Sequence, residues 1–158
     1  MTRPPAPRPR FSHRLVVRYA DTDAQGHVYF ANYLTYCDEA LTGYFHAIGL
    51  PPKELVSRDG VDLVYARTEV RYRGSSYVED RLDIHARISR LGRTSFTSEA
   101  VIHRAAAPDL LATATLVSVC VDPATHRPAP VPERLRALVH AYEGPGAVED
   151  VLHGETGY

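Results

Sequence analysis

The chain has 158 residues, 18 Lys plus Arg against 19 Asp plus Glu, and an apolar fraction of 44%, which fits one globular domain with a single core. With a formal charge of −1 nothing global argues for nucleic acid or an anionic membrane surface as partner, and no apolar run approaches the ~20 residues of a membrane span. Two cysteines, Cys37 and Cys120, at no metal-like spacing predict reduced thiols and a cytoplasmic protein rather than a disulfide scaffold.

Residues 1–9 hold four prolines among basic residues, which predicts a disordered leader rather than a signal peptide. Residues 11–19 read as a strand with His13, Leu15, Val17 and Tyr19 on one face. Residues 21–29 are rich in Asp, Thr, Gln and Gly and read as a loop. From 32 to 48 the apolar positions Tyr33, Cys37, Leu41, Tyr44 and Ile48 follow a helical period. Asn32 is placed to cap that helix, and Gly49 with Pro51 and Pro52 stops it.

After a linker over 51–62 the period changes to two. Residues 64–71, 82–88, 96–102 and 111–121 read as four strands, with turns at Gly74, at Gly92-Arg93 and at Pro108-Asp109. Hairpin spacing predicts consecutive antiparallel neighbours. A short helix follows over 132–142, then a loose tail over 144–158. The predicted class is α+β: a curved antiparallel β-sheet wrapped around one long central α-helix. The domain spans residues 10–143.

The connection between the first strand and the long helix is where chemistry is expected. A helix N-terminus offers unpaired N–H groups and a positive dipole end, which can polarise a carbonyl and hold the oxyanion that develops there. A carboxylate on the same loop can act as nucleophile or as general base on water. Asp21 and Asp23 are both candidates, and Gly26 permits close approach of backbone to substrate. Thioester hydrolysis suits this minimal equipment, because a thiolate leaves without strong acid assistance. The scattered His residues form no His-x-x-x-His pair and no Gly-x-Ser-x-Gly elbow is present, so the reaction is read as needing no metal or redox cofactor.

The stretch Asp21-Thr-Asp23-Ala-Gln-Gly26-His-Val28-Tyr-Phe-Ala-Asn32-Tyr33 resembles the signature of the 4-hydroxybenzoyl-CoA thioesterase family of hotdog enzymes. Leu91-Gly-Arg-Thr-Ser-Phe96, residues 112–122 and Arg127-Pro-Ala-Pro-Val-Pro-Glu133 add weaker matches in the right order. The resemblance implies a hotdog fold, an acyl-CoA substrate and a homodimer, often assembled into a homotetramer, with active sites at the dimer interface. It implies that Asp23 is the catalytic carboxylate and that the N–H near Phe30 polarises the thioester carbonyl. Gly26 matches a structural position of the loop. The CoA-contacting turn falls on Arg93, Thr94 and Ser95, where an Arg beside hydroxyls suits phosphate or pantetheine. His27 and Tyr29 are candidates for substrate contact. The family often carries a Pro where Ser75 or Ser76 stands. Rival readings are an acyl carrier protein thioesterase and a non-catalytic module that binds acyl-CoA.

Overall fold

Alternating β-branched and apolar residues build the sheet, and a computed structural model describes its course over residues 9–107 and 109–152. The predicted leader, Pro9 apart, and residues 153–158 of the predicted tail lie outside the described residues. Strand β1 runs over Phe11–Val16, helix α1 over Asn32–Ala47 and a short helix α2 over Pro52–Ser57. Strands β2 (Asp62–Tyr72), β3 (Arg81–Leu91), β4 (Ser95–Arg104) and β5 (Leu110–Val121) follow, then helix α3 (Glu133–Glu143) and a short strand β6 (Glu149–Asp150).

The sheet order is β1-β3-β4-β5-β2, antiparallel throughout, with β6 parallel to the end of β3 beyond β1. The hairpins β3–β4 and β4–β5 follow the predicted pairing. Strand β2 does not: it pairs with β5 at the far edge. Gly74 therefore opens a crossover rather than a hairpin turn, and residues 73–80 travel back across the molecule to reach β3. That path fixes them beside the loop before α1, where Val28 N–H donates to Ser76 O at 2.9 Å. Local turn chemistry cannot distinguish a hairpin from a crossover when both begin with Gly and Ser.

The helical stripe of α1 buries Tyr33, Tyr36, Cys37, Ala40, Leu41, Tyr44 and Phe45. Its N-terminal half packs on Ile84, Ala86, Ile102 and Leu116 of the sheet. Its C-terminal half meets Leu55 of α2, Leu135 and Val139 of α3, and Leu91 and Phe96 at the β3–β4 turn. Phe45 and Phe96 touch edge to face, ring centroids 6.1 Å apart. At ~1.5 Å per residue, the 16 residues of α1 separate these two ends by about 24 Å.

Four local predictions are corrected. Strand β1 ends at Val16, and Tyr19 lies in a 3₁₀ turn (Tyr19–Asp21), 84% exposed. Ala31, not Asn32, caps α1, because its helical backbone (φ −68°, ψ −24°) already continues the turn from Tyr29 and Phe30. The freed Asn32 amide donates to Asp21 O at 2.9 Å instead. The predicted linker contains α2, with Pro52 at its first turn, and the predicted loose tail contributes β6 and a buried Val148. No helix among the described residues is long and apolar enough to cross a membrane.

Candidate active site

The site grows from a tight loop between the 3₁₀ turn and α1. Thr22 and Val28 face each other as an antiparallel bridge. Asp23 N–H donates to His27 O at 3.0 Å, and Gly26 N–H donates back to Asp23 O at 2.9 Å. Gly26 closes this turn at φ +84° with open space around a Cβ. Gly26→Ala is therefore expected to cost about 1 kcal/mol from backbone strain alone, read as a lower urea midpoint with an unchanged slope.

Asp23 Oδ1 accepts Gln25 N–H at 2.8 Å, an Asx turn that orients the carboxylate. Its other oxygen lies 3.8 Å from His27 Nδ1, and the side chain remains 26% exposed. His27 also pairs through its backbone with Tyr77, and their rings meet edge on at 6.5 Å.

Asp21 has the opposite character. It is buried and receives Arg18 N–H at 2.9 Å, Arg18 Nη2 at 2.8 Å and Tyr36 OH at 3.0 Å. The hydrogen bonds from the Arg18 guanidinium hold its carboxyl below the usual carboxylate range, against the opposing pull of burial. Burial, followed by the adjacent Asp21, raises the Tyr36 phenol. Asp21 O accepts Tyr29 N–H and the Asn32 amide, so this residue ties the loop to the head of α1.

A depressed folded pKa stabilises the fold above the unfolded value of 3.8 and loses that contribution as pH falls below it through the folded pKa. Asp21→Asn is expected to be less stable than wild type at pH 7, with the gap closing below about pH 4, as measured by urea melts at both pH values.

At the head of α1, Asn32, Tyr33 and Leu34 donate to Tyr29, Phe30 and Ala31. The Phe30 N–H donates to no group among the described residues. The Phe30 carbonyl is fixed by Tyr72 OH at 2.9 Å, from the end of β2. The rings of Tyr29 and Phe30 lie 4.8 Å apart and are largely exposed. Ser76, one of the two serines where the related pattern often has a Pro, is fully buried and bonds Tyr33 OH at 2.9 Å.

Asp23, Gly26, His27, Tyr29 and Phe30 are thus brought together on one connection, with Tyr72, Ser76 and Tyr77 added by β2 and the crossover. Arg93, Thr94 and Ser95 are not part of this group within one chain. They form the β3–β4 turn, where Arg93 O accepts Val131 N–H and Thr94 O accepts Cys120 N–H, each at 2.8 Å. That turn adjoins Phe96, hence the C-terminal end of α1. Neither cysteine is a competing nucleophile: both are buried, and burial pushes each thiol up to about 12.

A concavity lies beside β2. Leu41, Phe45, Leu55, Tyr65 and Phe96 line a cleft of about 210 Å³ between α1, α2 and the strand. Tyr65 OH donates to Asp38 Oδ1 at 2.6 Å at its wall.

Residues 17–139 match the model of the thioesterase-like superfamily. A 1,4-dihydroxy-2-naphthoyl-CoA hydrolase from Synechococcus elongatus is 34% identical over 127 residues, covering 80% of this chain and 92% of the relative. The acyl-CoA thioesterase YbgC of Haemophilus influenzae is 27% identical over 130 residues, covering 82% and 94%. The crystal structure of a 1,4-dihydroxy-2-naphthoyl-CoA thioesterase from Synechocystis superposes with a TM-score of 0.78 at 25% identity, covering 85% of this chain and 98% of that one. The loop–helix site thus sits on the hotdog scaffold of these enzymes, and the chain belongs to the thioesterase-like superfamily.

Proposed function

We propose that the protein hydrolyses an acyl-CoA to a carboxylic acid and CoA. The observation that carries this reading is the pairing, on one loop, of an oriented and accessible Asp23 carboxylate with the uncommitted Phe30 N–H at the head of α1. The N–H and the helix dipole hold the thioester oxygen as it gains charge. Asp23 either attacks the carbonyl carbon, forming a mixed anhydride that water then hydrolyses to free the acid and the carboxylate, or takes a proton from a water that attacks directly; in both cases the C–S bond breaks and CoA leaves as thiolate. His27, 3.8 Å from the carboxylate, and Tyr29 border the entering substrate. The activities named for the Synechococcus and Haemophilus relatives support CoA as the carrier, and the motif at residues 21–33 supports a place beside the 4-hydroxybenzoyl-CoA thioesterases.

The active unit is a homodimer, built further into a homotetramer. Support comes from β2, an 11-residue edge strand whose side chains are mostly exposed; an open edge of that length readily pairs with a second copy. In each chain the Tyr72 end of β2 reaches Phe30, while the Asp62 end pairs with Val121 beside the β3–β4 turn. Antiparallel pairing of two β2 edges sets the Asp23 loop of one protomer near the partner's turn. That arrangement unites the two halves that one chain keeps about 24 Å apart. The apolar cleft along β2 then lies where an acyl group can enter, and the sheet curves around α1 as the central helix. Two buried, unpaired thiols fit a cytoplasmic location.

The carrier is tested by presenting one acyl group on CoA and on acyl carrier protein. The CoA ester is expected to have the higher kcat/KM by at least ~10-fold. A preference for the carrier protein would reverse this assignment, and tight acyl-CoA binding without turnover would make the protein a binding module.

A further inference from the structure

The β3–β4 turn is held from inside by every carbonyl it has. Gly92 N–H donates to Ser95 O at 2.7 Å, Val131 N–H to Arg93 O and Cys120 N–H to Thr94 O. The remaining carbonyl, Gly92 O, accepts the guanidinium of Arg136 on α3. A Cβ on Gly92 would lie 3.0 Å from Ser95 O, so the turn would have to give by a few tenths of an ångström to take a side chain. With the carbonyls committed inward, the N–H groups of Arg93 and Thr94 donate to nothing among the described residues, and the exposed Arg93 side chain stands beside them. Unpaired N–H groups beside a cation suit an anion.

Arg136 is buried, with only 9% of its surface exposed. A buried guanidinium is stable only with a counterion, and its partner comes from outside the family match. That match ends at residue 139. Beyond it, β6 runs parallel to β3, pairing Arg90 with Glu149 and Leu91 with Asp150, and Val151 N–H donates to Leu91 O at 2.9 Å. This places Asp150 Oδ1 3.5 Å from Arg136 and Oδ2 2.8 Å from His140 Nε2, one helical turn further along α3. Glu133 adds a weaker, exposed contact at 3.8 Å.

We propose that Arg136 is a positioning residue for carrier binding: anchored by Asp150 of the added strand β6, it locks Gly92 O and so holds the Arg93–Thr94 turn in its phosphate-receiving shape. This rests on the reading of the substrate as a CoA ester. Arg136 acts through the turn and touches neither the thioester nor Asp23. Its influence is therefore confined to the part of the substrate that carries phosphates.

The test uses the full chain as wild type, Arg136→Gln, Arg136→Lys and Asp150→Asn. Free CoA is titrated calorimetrically, and one acyl group is hydrolysed on CoA and on N-acetylcysteamine, which keeps the thioester and lacks the phosphates. Arg136→Gln is expected to weaken CoA binding and raise KM for the CoA ester about tenfold, because a hydrogen bond from a charged donor is lost. Turnover number on CoA, and kcat/KM on the truncated ester, stay within about twofold of wild type.

Arg136→Lys restores part of the affinity, since an ammonium reaches one acceptor where the guanidinium reaches two. Asp150→Asn shifts CoA affinity in the same direction and carries the test if Arg136→Gln does not fold. Equal losses on both carriers, or CoA affinity unchanged in the variants, would overturn the proposal. Binding of CoA by the wild type, weakened in the variants but with no hydrolysis, would remove the hydrolase reading and leave the positioning role intact. A wild type with no affinity for CoA would overturn it.

Discussion

Replacing Asp23 with Ala or Asn is expected to lower kcat/KM for an acyl-CoA at least ~100-fold, about 2.7 kcal/mol of transition-state stabilisation. The loop survives the change to Asn, because the amide oxygen can still accept Gln25 N–H as the carboxylate does at 2.8 Å. The side chain carries no part of the core, so the melting temperature should stay close to that of wild type. What is lost is the charge, and with it either the nucleophile or the base. The Phe30 N–H remains, which accounts for residual rate above the uncatalysed reaction. An Asp23→Asn enzyme with more than about a tenth of wild-type kcat/KM would assign the chemistry to another group.

Mixing two inactive variants should restore activity. Asp23→Ala removes the carboxylate, and Arg93→Glu reverses an exposed charge at the β3–β4 turn. If each site takes Asp23 from one protomer and the turn from its partner, a mixed dimer has one site with both lesions and one site with neither. Random exchange makes half the dimers mixed, so the pool regains about a quarter of wild-type activity. The measurement is hydrolysis of the CoA ester after co-refolding equal amounts of the two chains. No recovery on mixing would mean that each chain completes its own site, which the position of Phe96 against Phe45, at the far end of α1, argues against.

The parts of this site that were legible in the sequence are local ones. An acidic, Gly-containing stretch before a helical stripe has to be a loop feeding a helix N-terminus, and Asp23, Gly26 and Phe30 all lie on it. The strands were legible wherever one face is buried, as in β3, where Leu82, Ile84, Ala86 and Ile88 alternate strictly. Strand β2 was legible as a strand but not as an edge. Its bulge between Tyr65 and Arg67 breaks the alternation, and its partner β5 lies about 50 residues away along the chain. Because β2 moved to the edge, the crossover that brings Ser76 and Tyr77 against the loop could not be foreseen.

Of the two aspartates the family resemblance singles out Asp23, and the structure adds a physical difference between them. The sequence spacing offered both, whereas Arg18 and Tyr36 claim Asp21 and leave Asp23 accessible. Arg136 was hidden for a similar reason. Its burial on α3 and its contacts with Gly92 O and Asp150 come from tertiary packing, and β6 is too short to leave a period.

The central claim is most directly tested by free-thiol release from a panel of acyl-CoAs, aromatic and aliphatic, by the purified wild-type protein. Release well above spontaneous hydrolysis for at least one ester, abolished to the stated extent in Asp23→Asn, is the predicted result. No release from any member of the panel, or equal release by wild type and Asp23→Asn, would contradict it.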